Sequence, residues 1–325
     1  MKTFNNTTLV PRVISTVKHR GDCDTSIKFF RIKLDIPLIA SPMPDICNGD
    51  MAYHLATHGA IGIIHRFQNI SDQIKEFESL NEYNVQCGCA IGITDDCFLR
   101  FEALYEANCK IFCLDTANGA NKGIKNIRDL IQDFRAIKQV NDIFIIAGNV
   151  ATKEGFEFLQ DLGVDAIRCG IGGGSVCSTK TETGVYMPTL ETVLECKSVQ
   201  KTALIIADGG IKIPADMCKA LVAGADLVMA GKIFAGYKET PGNVLKLEDG
   251  TKYKTYRGAA SFSVQQEFSN EKPDFNEGNE TLVPYVDDSV AKVIKRFKTG
   301  LQSSMSYMNA LDINQYRINA KLEDL

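Results

Sequence analysis

The sequence predicts an α/β fold: a (β/α)8 TIM barrel with a C-terminal β-ribbon and a mobile flap, forming one domain over residues 1–325. Three observations carry this. Eight short apolar runs recur between Ile36 and Phe234. Most are nearly continuous, as expected for parallel strands covered on both faces. Amphipathic stretches of helical period separate them, and Asp115, Asn149, Gly172 and Asp208 fall at the ends of runs, where a barrel of this kind builds its site. A doubly wound open sheet uses the same alternation; eight evenly spaced runs favour the barrel.

In chain order, the strands read as Ile36 to Met43, Ala60 to Phe67, Cys87 to Ile93, Ile111 to Ala117, Ile143 to Val150, Ala166 to Ile171, Leu204 to Gly210 and Leu227 to Phe234. The helices between them read as Asp50 to His58, Ser71 to Leu80, Phe98 to Ala107, Asn121 to Gln139, Lys153 to Leu162, Thr189 to Lys197 and Pro214 to Ala223. The tail departs from this repeat. A β-rich ribbon lies within Leu247 to Ser263, centred on Lys252-Tyr253-Lys254-Thr255-Tyr256-Arg257. The polar segment Phe268 to Thr281 reads as a mobile loop, and long polar loops in α/β enzymes often cover active sites. Asp288 to Met308 reads as the eighth barrel helix, displaced by this insertion.

Composition narrows the function class. A formal net charge of −4 gives no support for a nucleic-acid or membrane surface, and no apolar run is long enough to span a bilayer. The start, Met1-Lys2-Thr3-Phe4-Asn5-Asn6, has no signal-peptide core. Eleven scattered cysteines, an odd number, point to a reducing, cytoplasmic setting rather than a disulfide framework. Cys87-Gly88-Cys89 has the wrong spacing for a zinc pair and reads as strand packing. His54 and His58 read as packing residues, whereas His65 sits at a strand end, within reach of a site.

The chemistry concentrates in Gly170-Ile171-Gly172-Gly173-Gly174-Ser175-Val176-Cys177. Glycines allow positive φ and close approach to a ligand, and such turns present N–H groups to anions. A turn of this kind can hold a phosphorylated substrate and aim a thiol at it. Two further glycine-bearing segments, Ala207-Asp208-Gly209-Gly210 and Ala230-Gly231-Lys232, fall where barrels often bind phosphate, after strands seven and eight. Asp208 beside its glycines suits a ribose diol, since a carboxylate accepts from two hydroxyls. In this order the segments point to a nucleoside monophosphate.

The run from Arg168 through Cys177-Ser178-Thr179 resembles the signature of the IMP dehydrogenase/GMP reductase family. Leu9-Val10-Pro11-Arg12, Ala40 to Met43, Ala147 to Thr152, Ala207 to Ile211 and Tyr256 to Ser261 are similar to that family as well. The resemblance implies that Cys177 attacks purine C2 and that Thr179 and Glu277 act as a general-acid pair. It implies phosphate on Ser175, Gly210 and Gly231, ribose on Asp208, and the base against Met43 and the Ala259–Ala260 backbone. Ser41, Asn149, Gly209, Lys232 and Tyr256 complete the implied substrate side. Asp115, Ala117, Asn118, Gly119 and His65 would face the nicotinamide cofactor, NADPH. Backbone carbonyls of Gly172, Gly174 and Cys177 would hold a monovalent cation, K+. A homotetramer acting on GMP or IMP is implied, with neither nucleic acid nor membrane as partner.

Within that family the resemblance is closest to GMP reductase. No regulatory domain interrupts the barrel pattern. The dehydrogenase flap carries an Arg-Tyr pair that activates water, whereas Gly258 to Tyr285 contains no arginine here. Thr183-Gly184-Val185, Leu114 to Gly119 and Asn276-Glu277-Gly278 resemble reductase versions. Arg168 is more typical of the dehydrogenase. Two residues fit neither branch: Pro44 stands where an Asp is expected, and Lys232 where a small residue follows the phosphate glycine. A dehydrogenase with a reduced architecture, with a flap lysine such as Lys272 as base, and a non-catalytic or altered-substrate nucleotide binder are the alternatives.

Overall fold

The computed structural model describes residues 1–83, 85–93, 96–268 and 275–325. Eight parallel strands close into a barrel. They are β1 (Leu38–Ala40), β2 (Ile61–Ile64), β3 (Gly88–Ile91), β4 (Ile111–Asp115), β5 (Phe144–Val150), β6 (Ala166–Cys169), β7 (Leu204–Asp208) and β8 (Leu227–Ala230). Closure falls between β8 and β1, where Ala230 pairs with Ala40. The open-sheet alternative is thereby excluded.

The helices that cover the barrel are α1 (Gly49–Thr57), α2 (Ile70–Glu78), α3 (Cys97–Glu106), α4 (Lys122–Lys138), α5 (Lys153–Asp161), α6 (Thr189–Val199), α7 (Pro214–Ala223) and α8 (Ala291–Tyr307). Several start where a side chain accepts from an otherwise orphaned N–H: Asn48 from Met51 at 3.0 Å and Asn121 from Gly123 at 2.7 Å.

The strand period of two sorts the core into two layers. Ile39, Ile63, Cys113, Ile146, Ile206 and Met229 meet inside the barrel. Their neighbours Leu38, Ile64, Phe112, Ile145, Ile205 and Val228 pack outward under the helices. A hairpin of Ile27–Phe29 and Ile32–Leu34 closes the floor. Its Phe29 is fully buried and meets Phe144 edge-on, with ring centroids 4.8 Å apart.

The tail differs from the sequence expectation. The ribbon has three antiparallel strands, β9 (Leu245–Lys246), β10 (Lys252–Arg257) and β11 (Glu280–Pro284), and a helix spans Phe262–Phe268. The third strand falls partly within the segment read as loop. In β11 only Val283 is buried, so no apolar alternation marks it; the ladder to β10, from Tyr253↔Pro284 to Arg257↔Glu280, defines it. Lys272 and the rest of 269–274 lie outside the described residues.

Candidate active site

The same period of two that fills the barrel also caps it. Asp115 follows Ile111 and Cys113 in inward register, Arg168 follows Ala166, and Asp208 follows Ile206. Three charged side chains therefore converge at the C-terminal end of the strands. Arg168 places Nη1 2.5 Å from Asp115 Oδ1, and Nε and Nη2 each 2.9 Å from Asp208 Oδ2. Asn149 Nδ2 donates to that same Asp208 oxygen and to the Gly170 carbonyl, both at 2.8 Å. Arg66 Nε stands 3.5 Å from the other Asp115 oxygen, an ion pair rather than a well-formed hydrogen bond. Burial alone would push Asp115 up; the two arginines more than offset it and hold its carboxyl below the usual range. Burial alone would lower Arg168, but Asp208 and Asp115 raise it well above its ordinary value, so the cap stays ionised.

Above the cap lies a cleft of about 510 Å³. Every residue that the resemblance assigned to the nucleophile, acid, substrate and cation roles lines it, as do Asp115 and Ala117. Three assigned to the cofactor do not. His65 is 7% exposed; burial lowers it to about 4, so it is a neutral, buried imidazole. Asn118 is exposed and turns its side chain to the Ala120 N–H. Gly119 is a packing glycine: a Cβ there would lie 2.8 Å from Gly148 Cα. Conversely, Arg66, Phe67, Lys212, Gln265 and Phe275 line the cleft and were not singled out. Arg66 and Phe67 close the second apolar run, where a barrel gathers its functional residues, so their position was a usable signal.

The cysteine loop depends on glycine at its first residue. Gly170 has φ +141°, and a Cβ there would lie 2.1 Å from the Asp208 carbonyl oxygen. The chain then turns so that the Cys177 N–H donates to the Gly174 carbonyl at 3.2 Å. The return of the flap runs along this loop. Ser178 N–H donates to Glu277 O at 2.9 Å, and Asn279 N–H donates to Val176 O at 2.8 Å. This pairing brings Glu277 to the thiol. Cys177 Sγ donates to Thr179 Oγ1 at 3.3 Å, and Thr179 Oγ1 donates to Glu277 Oε2 at 2.8 Å. Ten of the eleven cysteines are buried, including Cys87 and Cys89 in their strand environment; Cys177 alone is partly exposed.

At another end of the cleft, Gly209 and Gly210 have φ of +89° and +79°, and a Cβ on Gly231 would crowd Met43 Sδ at 3.0 Å and Tyr256 Oη at 3.1 Å. Ser175 Oγ donates to Tyr256 Oη at 3.4 Å. Burial pushes the Tyr256 phenol up to about 12, so it remains a hydroxyl at neutral pH. The loop bearing Pro44 sends its carboxylate elsewhere. Asp45 is 2% exposed and receives Arg257 Nε at 2.9 Å and Nη2 at 2.8 Å; Arg257 Nη1 reaches Glu267 at 2.7 Å. This network ties the loop after β1 to the ribbon and the Phe262–Phe268 helix.

A closed (β/α)8 barrel with one accessible thiol, held on a glycine loop among glycine-lined turns, defines a barrel protein built for chemistry on a bound small molecule. Residues 1–325 match the family described as the IMP dehydrogenase / GMP reductase domain. A GMP reductase of Chromobacterium violaceum is 35% identical over 307 residues, covering 94% of this chain and 92% of the relative. A GMP reductase of Lactobacillus delbrueckii subsp. bulgaricus is 33% identical, covering 97% and 92%. An inosine-5′-monophosphate dehydrogenase of Borreliella burgdorferi is 30% identical, covering 98% and 92%. The chain belongs to the IMP dehydrogenase / GMP reductase family, oxidoreductases that use a nicotinamide cofactor on purine nucleotides. Among the described residues no helix is long and apolar enough to cross a membrane.

Proposed function

We propose that the protein is a GMP reductase, converting GMP and NADPH to IMP, ammonia and NADP⁺ through a covalent bond between Cys177 and purine C2. The observation that carries this is the unbroken line Cys177 Sγ–Thr179 Oγ1–Glu277 Oε2, with steps of 3.3 and 2.8 Å. It provides a path for the thiol proton: Sγ gives it up towards Thr179, and Thr179 passes its own proton to the Glu277 carboxylate. The thiolate is the reactive nucleophile. Addition to C2 makes the exocyclic amine a leaving group once it is protonated, and protonated Glu277 returns the proton through Thr179. Ammonia departs and leaves a thioimidate on Cys177.

NADPH, when bound, would supply a hydride to C2; the C2–Sγ bond then breaks, and Cys177 leaves as the thiolate to give IMP. The cleft suits the cofactor: the volume exceeds the lower end of the range for ligand sites, ~300–1,000 Å³, and Arg66 stands 4.7 Å over the Phe67 ring to form one wall. Asp115, Ala117, Arg66 and Phe67 are the residues that would border it. The choice of NADPH over NADH rests on the resemblance. Potassium would rest on the carbonyls of Gly172, Gly174 and Cys177; the Gly174 carbonyl already accepts the Cys177 N–H. Among the described residues no His, Cys, Asp or Glu cluster could hold a metal, and no step is assigned to a cation.

The test is a paired assay following nicotinamide absorbance and released ammonia. One reaction holds GMP with NADPH or NADH, the other IMP with NAD⁺ and potassium. Cofactor oxidation with matching ammonia in the first supports the reductase. Cofactor reduction in the second alone refutes it in favour of a dehydrogenase, and silence in both refutes it in favour of a binder or an altered substrate.

A further inference from the structure

Most charged groups bordering the cleft are already committed. Asp115, Arg168, Arg66 and Asp208 neutralise one another in the cap, and Glu277 is engaged by Thr179. Lys232 and Lys212 differ. Both are exposed, both line the cleft, and among the described residues neither ammonium has an ion-pair partner. Lys232 follows Gly231 directly and turns back over the site: its Nζ lies 5.4 Å from the centroid of the Tyr256 ring. Tyr256 is the residue whose hydroxyl accepts from Ser175 and would lie 3.1 Å from a Cβ on Gly231. Lys212 follows Gly210 and Ile211, and its backbone is pinned where its N–H donates to Asp216 Oδ2 at 2.9 Å. The two lysines thus stand beside two separate glycine-bearing segments, Gly209-Gly210 and Gly231, both of which line the cleft.

We infer that Lys232, assisted by Lys212, is a specificity-determining residue for the substrate's 5′-phosphoryl group. The glycine turns, Ser175 and Tyr256 offer neutral donors, which any oxyanion can accept from. The two ammoniums add full positive charge, which rewards a dianion and gives nothing to a neutral nucleoside. Lysine suits this role as a compact point charge on a flexible stem. The cation–π contact with Tyr256 holds the Lys232 ammonium at the site before a ligand arrives. Pre-placement lowers the ordering cost of binding.

The inference rests on the reading that a purine nucleotide occupies this cleft. The experiment is equilibrium titration of the whole protein with GMP, guanosine and inorganic phosphate, for wild type, Lys232→Ala, Lys232→Arg and Lys212→Ala. Lys232→Ala should weaken GMP roughly 10-fold or more, the scale of a charged hydrogen bond, and weaken inorganic phosphate in parallel, while guanosine stays at its wild-type affinity. Lys232→Arg should restore most of the GMP-to-guanosine ratio, and Lys212→Ala should give a smaller loss of the same kind. A Lys232→Ala protein that keeps the wild-type GMP-to-guanosine ratio overturns this inference while leaving nucleotide binding intact. A wild type that binds neither GMP nor IMP overturns the functional reading and this inference together. Lys232 is exposed, so its variants fold, and the ratio compares two ligands on one preparation.

Discussion

Arg168→Met tests the buried cap that organises the cleft. Arg168 is 7% exposed and joins the half-buried Asp115 and the buried Asp208 at the barrel mouth. Methionine fills comparable space but leaves two carboxylates without their shared counter-charge. Removing one partner of a buried pair costs about 3–5 kcal/mol. At roughly 2.1 cal/mol/K of unfolding entropy per residue, about 0.7 kcal/mol/K for a chain this long, the midpoint should fall by about 4–7 °C. The assay is calorimetry at pH 7.5 and pH 5. In the wild type Asp115 is held below its ordinary pKa, so its stabilisation is complete above ~3.9 and is lost only as pH falls through the lower folded value. In the variant burial remains while the main counter-charge is gone, so the folded pKa of Asp115 moves above the unfolded one. Proton uptake then relieves the penalty, and the deficit should shrink from pH 7.5 to pH 5. A deficit under about 1 kcal/mol, or one equal at both pH values, refutes the argument.

Other perturbations address the chemistry and the core. Cys177→Ala should abolish turnover and retain GMP binding; full activity would end the covalent mechanism. Glu277→Gln removes the acceptor 2.8 Å from Thr179 and should slow ammonia release by roughly 10²–10⁴ in rapid-quench assays, with nucleotide affinity changed far less. An unaltered rate would exclude Glu277 from proton transfer. His65 is held neutral by burial, from an ordinary 6.5 down to about 4. The unfolded chain takes up a proton that the folded chain refuses, so stability should fall as pH falls from 6.5 to about 4, by up to about 3 kcal/mol. His65→Gln should flatten this limb in urea titrations, and an unchanged limb would place the acid sensitivity elsewhere.

What was legible in the sequence followed the strength of the local signal. The barrel strands are buried on both faces, so their apolar runs announce them, and the glycines of the Gly170–Cys177 loop mark a backbone geometry no other residue tolerates at Gly170. The β11 strand was not legible because four of its five residues are exposed and its existence depends on pairing with β10. His65 shows the opposite failure. A polar residue at a strand end fits a barrel site by position, yet its side chain is buried and does not line the cleft. The cap was half legible. Asp115 and Asp208 were visible as strand-end carboxylates, whereas their link through Arg168 needs the closed barrel to bring β4, β6 and β7 into one inward register. The departure at Pro44 resolves similarly, because the adjacent Asp45 serves the ribbon through Arg257, a partner 212 residues away.

The arginines bear directly on which branch of the family this chain follows. Hydrolysis of a Cys177 adduct requires a group that can take a proton from water at C2. The resemblance places that task on a flap arginine of the dehydrogenase, and Gly258 to Tyr285 contains none. Arg257 immediately precedes this segment, but three of its contacts fix it to Asp45 and a fourth to Glu267, and those carboxylates raise its pKa further. A guanidinium so paired is a poor proton acceptor. Arg168 is bound to two carboxylates within the cap, and Arg66 pairs with Asp115. The group that does touch the thiol's hydrogen-bond line is Glu277, which suits protonation of a leaving amine. On the proposed reductase reading this line serves the release of ammonia, and Arg66, with the longest of these ion-pair distances at 3.5 Å, is the residue to substitute first should the dehydrogenase assay respond.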